Sequence, residues 1–142
     1  MIKQKLFFTK KIPKPLLPNT FYGLSDNGYG WQIPNTAVTN EILMDLNIVS
    51  YDGIDITIKK FFYLVVSTSQ TPELVDDNNS FYIYGWDFRL SSNSNIKKII
   101  IPTNSDSFEN KFLHILYRDS SIPGSETEYN KTLYITATGY QN

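Results

Sequence analysis

Few side chains in this chain are of types that do chemistry, and their spacing narrows what that chemistry could be. There is one histidine, His114, and no cysteine. A metal site built from several histidines or thiolates is therefore excluded within one chain. His114 lies between Leu113 and Ile115 in an alternating run, which reads as a packed strand histidine rather than a general base. Asp45, Asp52 and Asp55 gather around one turn and could offer oxygen ligands to calcium. The run Asp52-Gly53-Ile54-Asp55 lacks the regular acidic spacing of a calcium loop, so turn chemistry and a solvated face account for these residues. Glu73, Asp76 and Asp77 read as a solvated loop in the same way. Carboxylates distant in sequence can still meet in space. No nucleophile setting is recognisable, however, and the chain reads as a non-enzyme with no catalytic residue, cofactor or metal.

The aromatic residues are more suggestive. The chain has 10 Tyr, 9 Phe and 2 Trp. Tyr22, Tyr29 and Trp31 alternate in one stretch, and Tyr82, Tyr84 and Trp86 in another. An aromatic platform beside Asn and Asp side chains can hold a sugar ring, while the same rings at alternating positions can equally be core. Tyr29, Trp31, Tyr84 and Trp86 are the candidate glycan contacts of that reading, and Tyr and Trp also anchor protein interfaces.

These residues need elements to place them. From Ile42 to Val66 the apolar residues recur with a period of two, interrupted by Asp52-Gly53. Such a pattern predicts two strands joined as a hairpin, because a tight type I′ turn favours Asp-Gly. Asn40 could cap a short helix over 40–46, but the alternation continuing to Ile48 favours strand. Residues 20–33 form a second hairpin candidate around Asn27-Gly28. Further strands are expected over 2–8, over 80–90 with a bulge at Gly85, over 96–101 ended by Pro102, over 111–118 and over 131–138. Eight to ten strands, with turn signals every 8–14 residues or so, predict an all-β, single antiparallel β-sandwich that is jelly-roll-like.

Composition agrees. Charged residues are 19% of the chain and hydrophobic residues 41%, which suits sheet in a domain of 142 residues. The longest apolar run, Phe61 to Val66, is far short of the ~20 residues of a spanning helix, so no membrane segment is expected. No secretory signal is recognisable, and the two glycosylation matches at Asn78 and Asn130 read as chance.

The net charge of -1 hides an asymmetry. Residues 1–18 carry Lys3, Lys5, Lys10, Lys11 and Lys14 and no acid, so the rest of the chain is acidic. Pro13, Pro15 and Pro18 forbid helix and favour an extended conformation. Residues 1–18 are thus expected to be an extended basic arm on a sandwich of residues 19–142. The arm either straps the chain's own sheet or reaches a neighbour through Ile2, Leu6, Phe8, Lys10, Lys11, Leu16 and Leu17. It lacks arginine and the body is acidic, which argues against sequence-specific nucleic-acid binding.

The basic, proline-bearing arm, the Cys-free sandwich and the terminal Gly139-Tyr140-Gln141-Asn142 together resemble small virion structural proteins of phages. The resemblance spans the whole chain and rests on no signature motif. It implies a penton, decoration, connector or fibre-base subunit located in the virion and assembled in the host cytoplasm. Its partners would be itself or other virion structural proteins.

Overall fold

A computed structural model describes residues 4–34, 41–50, 60–76, 78–87, 95–102, 111–119 and 121–141. It contains nine strands: β1 (Gln4–Ile12), β2 (Thr20–Gly23), β3 (Trp31–Gln32), β4 (Glu41–Ser50), β5 (Lys60–Ser67), β6 (Ser80–Asp87), β7 (Asn95–Pro102), β8 (Phe112–Asp119) and β9 (Leu133–Gln141). Among the described residues one 3-10 turn, Pro72–Leu74, lies between β5 and β6.

The strands form two antiparallel sheets. One has the order β1-β9-β4-β7, and the other has β2-β8-β5-β6 with β3 also on β8. The chain runs out through β1, β2, β4 and β5 and returns through β6, β7, β8 and β9. Each outgoing strand pairs with a returning one: β1 with β9, β2 with β8, β4 with β7 and β5 with β6. The ribbon is then rolled, so that β4 also meets β9 and β5 also meets β8. This is jelly-roll connectivity, the architecture expected from the number of strands and the spacing of the turns.

Period-two patterning builds the core. Met44, Leu46 and Ile48 of β4 share one core cluster with Phe62, Leu64 and Val66 of β5 in the other sheet, together with Ile115 and Tyr117 of β8 and Ile135 and Ala137 of β9. The Phe62 ring stacks on Tyr117 at 5.1 Å and meets the edge of Tyr129 at 5.2 Å.

Four expectations are corrected. First, β4 and β5 do not form a hairpin, because they belong to different sheets. In a rolled ribbon consecutive outgoing strands alternate between sheets, and the turn residues Asp52-Gly53 lie outside the described residues. Second, β2 and β3 do not pair with each other. Both pair with β8, as two pieces of one edge interrupted by residues 24–30. Asn27-Gly28 does turn the chain there: Gly28, at φ +88°, donates to Ser25 O at 3.0 Å.

Third, residues 4–18 are not an arm set apart from a body of residues 19–142: they strap the chain's own sheet, one of the two alternatives expected. Strand β1 is the edge of the four-stranded sheet, paired to β9 from Gln4↔Tyr140 to Ile12↔Leu133. Phe8, Ile12 and Leu16 are buried in the chain's own core, so Phe8 and Leu16 have no surface to offer a neighbour. Leu16 and Tyr129 exchange backbone hydrogen bonds at 2.9 and 2.8 Å, which ties the proline segment down as a strap. The prolines remove donors but not the apolar anchors between them. Fourth, the last strand does not end at residue 138; Gly139 to Gln141 continue β9 beside β4.

Candidate functional site

Two surface regions stand out, and the strand registers define both. The first is the outer face of the four-stranded sheet. Residues directly opposite each other share a face. The register therefore sets Leu6, Thr138, Asp45 and Lys98 in one outward row, and Leu43 and Ile100 in the row beside it. Thr9, Thr136 and Asn47 form a third row, and Lys11, Tyr134 and Val49 a fourth. Leu6 and Ile100 are each 58% exposed and Leu43 is 40% exposed. The charges described on this face are few. Lys98 bridges Asp45 at 3.2 Å, and Lys11 lies over the Tyr134 ring, 5.9 Å from its centre. A shallow groove runs over Leu43, Asp45, Lys98 and Ile100. Flat, nearly uncharged and partly apolar, the face has the chemistry of an interface centre.

The second region is a cleft of about 380 Å³ at the mouth of the sandwich, between β1 and the loop joining β2 to β3. Its floor is aromatic. Trp31 pairs with the core residue Leu113 on β8 and so points between the sheets. Its ring lies 5.6 Å from Phe7 and 5.2 Å from Phe8. Two consecutive residues of a regular strand point to opposite faces, but the register of β1 slips between Leu6 and Phe8. That bulge turns both phenylalanines toward Trp31.

The rim of the cleft is polar and comes from Ser25, Asp26, Asn27 and Thr9. The loop that carries it is held from several sides. Lys10, on the inward face of the edge strand, donates from Nζ to Ser25 O at 3.0 Å. Ser25 N donates to Tyr29 O at 2.8 Å, and Ser25 Oγ to Gly30 O at 3.1 Å. Asn27 Oδ1 accepts from Tyr29 N at 3.0 Å, which fixes the orientation of the amide and leaves Nδ2 as its donor end. Among the described residues no hydrogen bond or ion pair engages the Asp26 carboxylate.

Beneath the same loop lies His114, fully buried on the outer face of the five-stranded sheet. Its Nε2 meets Ser69 O at 2.9 Å, so Nε2 carries the proton and donates. Its Nδ1 is buried without a partner. Gly30 closes over the ring: a Cβ there would come within 2.7 Å of Nε2. Burial pushes the His114 pKa below its ordinary value, opposed by the contact with Ser69 O. The histidine is thus a neutral packing residue, as its apolar neighbours suggested, rather than an exposed base.

The residues expected to form a site are scattered. Tyr29 is exposed and Trp31 is half-buried at one edge of the five-stranded sheet. Tyr84 and Trp86 lie on β6, at the opposite edge, where they pair by backbone with Leu64 and Phe62 of β5, so no single aromatic platform unites the two sets. The side chains of Tyr84 and Trp86 lie outside the described residues, as do Ile2, Asp52, Asp55 and Asp77. The bulge near Gly85 falls instead where Leu64 pairs with Tyr84 and Val65 with Tyr82, which skips Ile83. Of the expected neighbour contacts, Leu6, Lys11 and Leu17 remain at the surface, while Lys10 is spent on the cleft loop.

Phe7, Asp26 and Asn27 of the cleft, and Leu43, Ile100 and Thr138 of the open face, were not singled out by sequence. The adjacent Phe7-Phe8 pair and the Asp26-Asn27-Gly28 turn were the available signals. Among the described residues no group of three or more acidic, histidine or cysteine side chains could hold a metal ion, and no helix is long and apolar enough to cross a membrane. No protein-family model matches the chain, and no curated protein matches it.

Proposed function

We propose that this protein is a non-enzymatic structural subunit that assembles with copies of itself, as a building block of a virion shell or tail. The observation that carries this reading is the open outer face of β1-β9-β4-β7. Leu6, Leu43 and Ile100 stand exposed there, around threonines, the Asp45–Lys98 pair and Lys11. Leaving several large apolar side chains on one flat face costs solubility unless the face is covered in use.

A second copy suits this face for two reasons. Asp45 and Lys98 sit side by side, so a copy turned by a two-fold rotation can set its Lys98 near this Asp45 and the reverse, as a self-complementary interface requires. The extent is also adequate. Four strands at ~4.8 Å spacing and roughly eight residues at ~3.4 Å give a flat projection of about 500 Å². Side-chain relief brings this toward the about 800 Å² per partner of a stable complex. Jelly rolls recur in viral shells, and they also recur in lectins. The contact is a sheet face to which residues 1–18 contribute Leu6, while Phe8, Ile12 and Leu16 belong to the chain's own core.

Light scattering on the full chain tests this. The unmodified protein is expected to be a defined oligomer. The double variant Leu43→Glu, Thr138→Glu, with both changes on the surface, is expected to be a monomer that melts at nearly the same temperature. An unmodified protein that stays monomeric at high concentration contradicts the proposal.

A further inference from the structure

The cleft between β1 and residues 24–30 meets the sheet face assigned to assembly only at Thr9 and has a different chemistry. We propose that it binds a sugar ring, with Trp31 and Phe7 beneath the ring's apolar face and Asp26 and Asn27 on a pair of its neighbouring hydroxyls.

Three features carry this. The first is the pairing of an apolar floor with a polar rim. One face of a hexose exposes C–H bonds and wants an aromatic surface, while its edge exposes hydroxyls that each donate and accept. Small-ligand sites are commonly concave and apolar with a few placed polar groups, and a cleft of about 380 Å³ has room for one ring. The second is the complementarity of the rim. The Asp26 carboxylate only accepts, and the Nδ2 of Asn27 only donates. Asn27 Oδ1 is already committed to Tyr29 N, so the amide cannot flip without losing that bond. Two adjacent hydroxyls can then donate to Asp26 and accept from Asn27. A cationic ligand would use the carboxylate alone and leave the amide idle; an anion would meet the carboxylate first.

The third feature is preorganisation. The floor is fixed by the β1 bulge and the ring contacts of Phe7 and Phe8 with Trp31. The rim is fixed by Lys10 on Ser25 O and by the turn bonds from Ser25 to Gly30. A rigid loop loses little freedom on binding, which helps a weak polar ligand most.

The probes are the methyl glycosides of glucose, galactose, mannose and N-acetylglucosamine, titrated into the full chain. The protein has two tryptophans, so the Trp86→Phe variant leaves Trp31 as the sole indole reporter. At least one glycoside is expected to shift the Trp31 emission saturably in the millimolar range. Asp26→Ala, an exposed substitution, is expected to weaken that glycoside by about tenfold, since a charge-assisted hydrogen bond is lost. Asn27→Asp keeps the oxygen that accepts from Tyr29 N but removes the donors, and is expected to weaken it similarly with an unchanged melting temperature. Failure of all four glycosides to give a saturable shift overturns the proposal. So does binding that both variants leave intact, which would place the sugar elsewhere.

Discussion

The outer faces of the two sheets treat the same alternating pattern in opposite ways. On the five-stranded sheet the outer face is covered by the chain itself. Val65, Leu116 and His114 are buried there, with Val75 from the segment after the 3-10 turn packed over them and Phe21 and Tyr63 at the margin. On the four-stranded sheet no comparable cover is present among the described residues, and Leu6, Leu43 and Ile100 stay exposed. Strand β8 is consequently buried from Leu113 to Tyr117 without a break, whereas β4 alternates from Leu43 to Asn47. A jelly roll needs only its inner faces to fold. The outer face that remains bare is where a second molecule has something to gain.

The contrast can be broken most severely by removing the edge that closes the bare sheet. Deleting residues 1–12 takes away β1, and with it Phe8 and Ile12 from the core. Each such side chain is worth about 2–5 kcal/mol, and together with the strand ladder they approach the entire stability of a small domain, about 5–15 kcal/mol. The truncated chain is expected to show no cooperative melt by circular dichroism. A folded truncated protein would return residues 1–12 to the status of a detachable arm.

A matched pair of truncations sharpens the contrast. Leu116→Ala on the covered face is expected to cost about 2–4 kcal/mol in urea unfolding. Leu43→Ala on the bare face, measured at a protein concentration low enough to hold the chain as a monomer, is expected to cost no more than about 0.5 kcal/mol. Equal costs would mean that the two faces are not different in kind.

The covered face should also be sensitive to acid. Burial lowers the His114 pKa, opposed by its hydrogen bond to Ser69 O, and among the described residues no charged group contributes. The unfolded chain takes up a proton near the ordinary value of 6.5, while the folded chain does not. Stability is therefore full above that pH and falls as pH drops below it, by up to about 1.4 kcal/mol per unit, until the lowered folded value is reached. His114→Gln is expected to flatten this part of the profile, whatever its own cost. Urea melts of both proteins between about pH 5 and pH 7.5 read the difference.

Much of this architecture is legible in the residues, and the gaps have physical causes. Alternation of Met44, Leu46 and Ile48, and of Phe62, Leu64 and Val66, marks which side of each strand is core. It cannot tell which strand lies beside it, since β4 and β5 look the same whether paired or split between sheets. Local turn chemistry at Asn27-Gly28 is real, yet the strands on either side both chose β8, a partner some 80 residues away. The segment Ile12 to Leu16 reads as a surface arm because prolines exclude regular structure. Burial of Ile12 and Leu16 depends instead on the hollow beside Tyr129, which no local pattern reveals. The cleft needed the bulge at Phe7, and a one-residue slip in register leaves no mark in an alternating sequence.

Inter-label distance would test the bare face as an interface most directly. The chain has no cysteine, so Thr138→Cys and Leu74→Cys each give a single attachment point for a spin label. Thr138 lies at the centre of the bare face, and Leu74 is exposed on the covered side. The account predicts a short, well-defined distance between labels at Thr138→Cys in paired molecules, and a much longer one at Leu74→Cys. A short distance at Leu74→Cys, or only the background of isolated molecules at both positions, would contradict it.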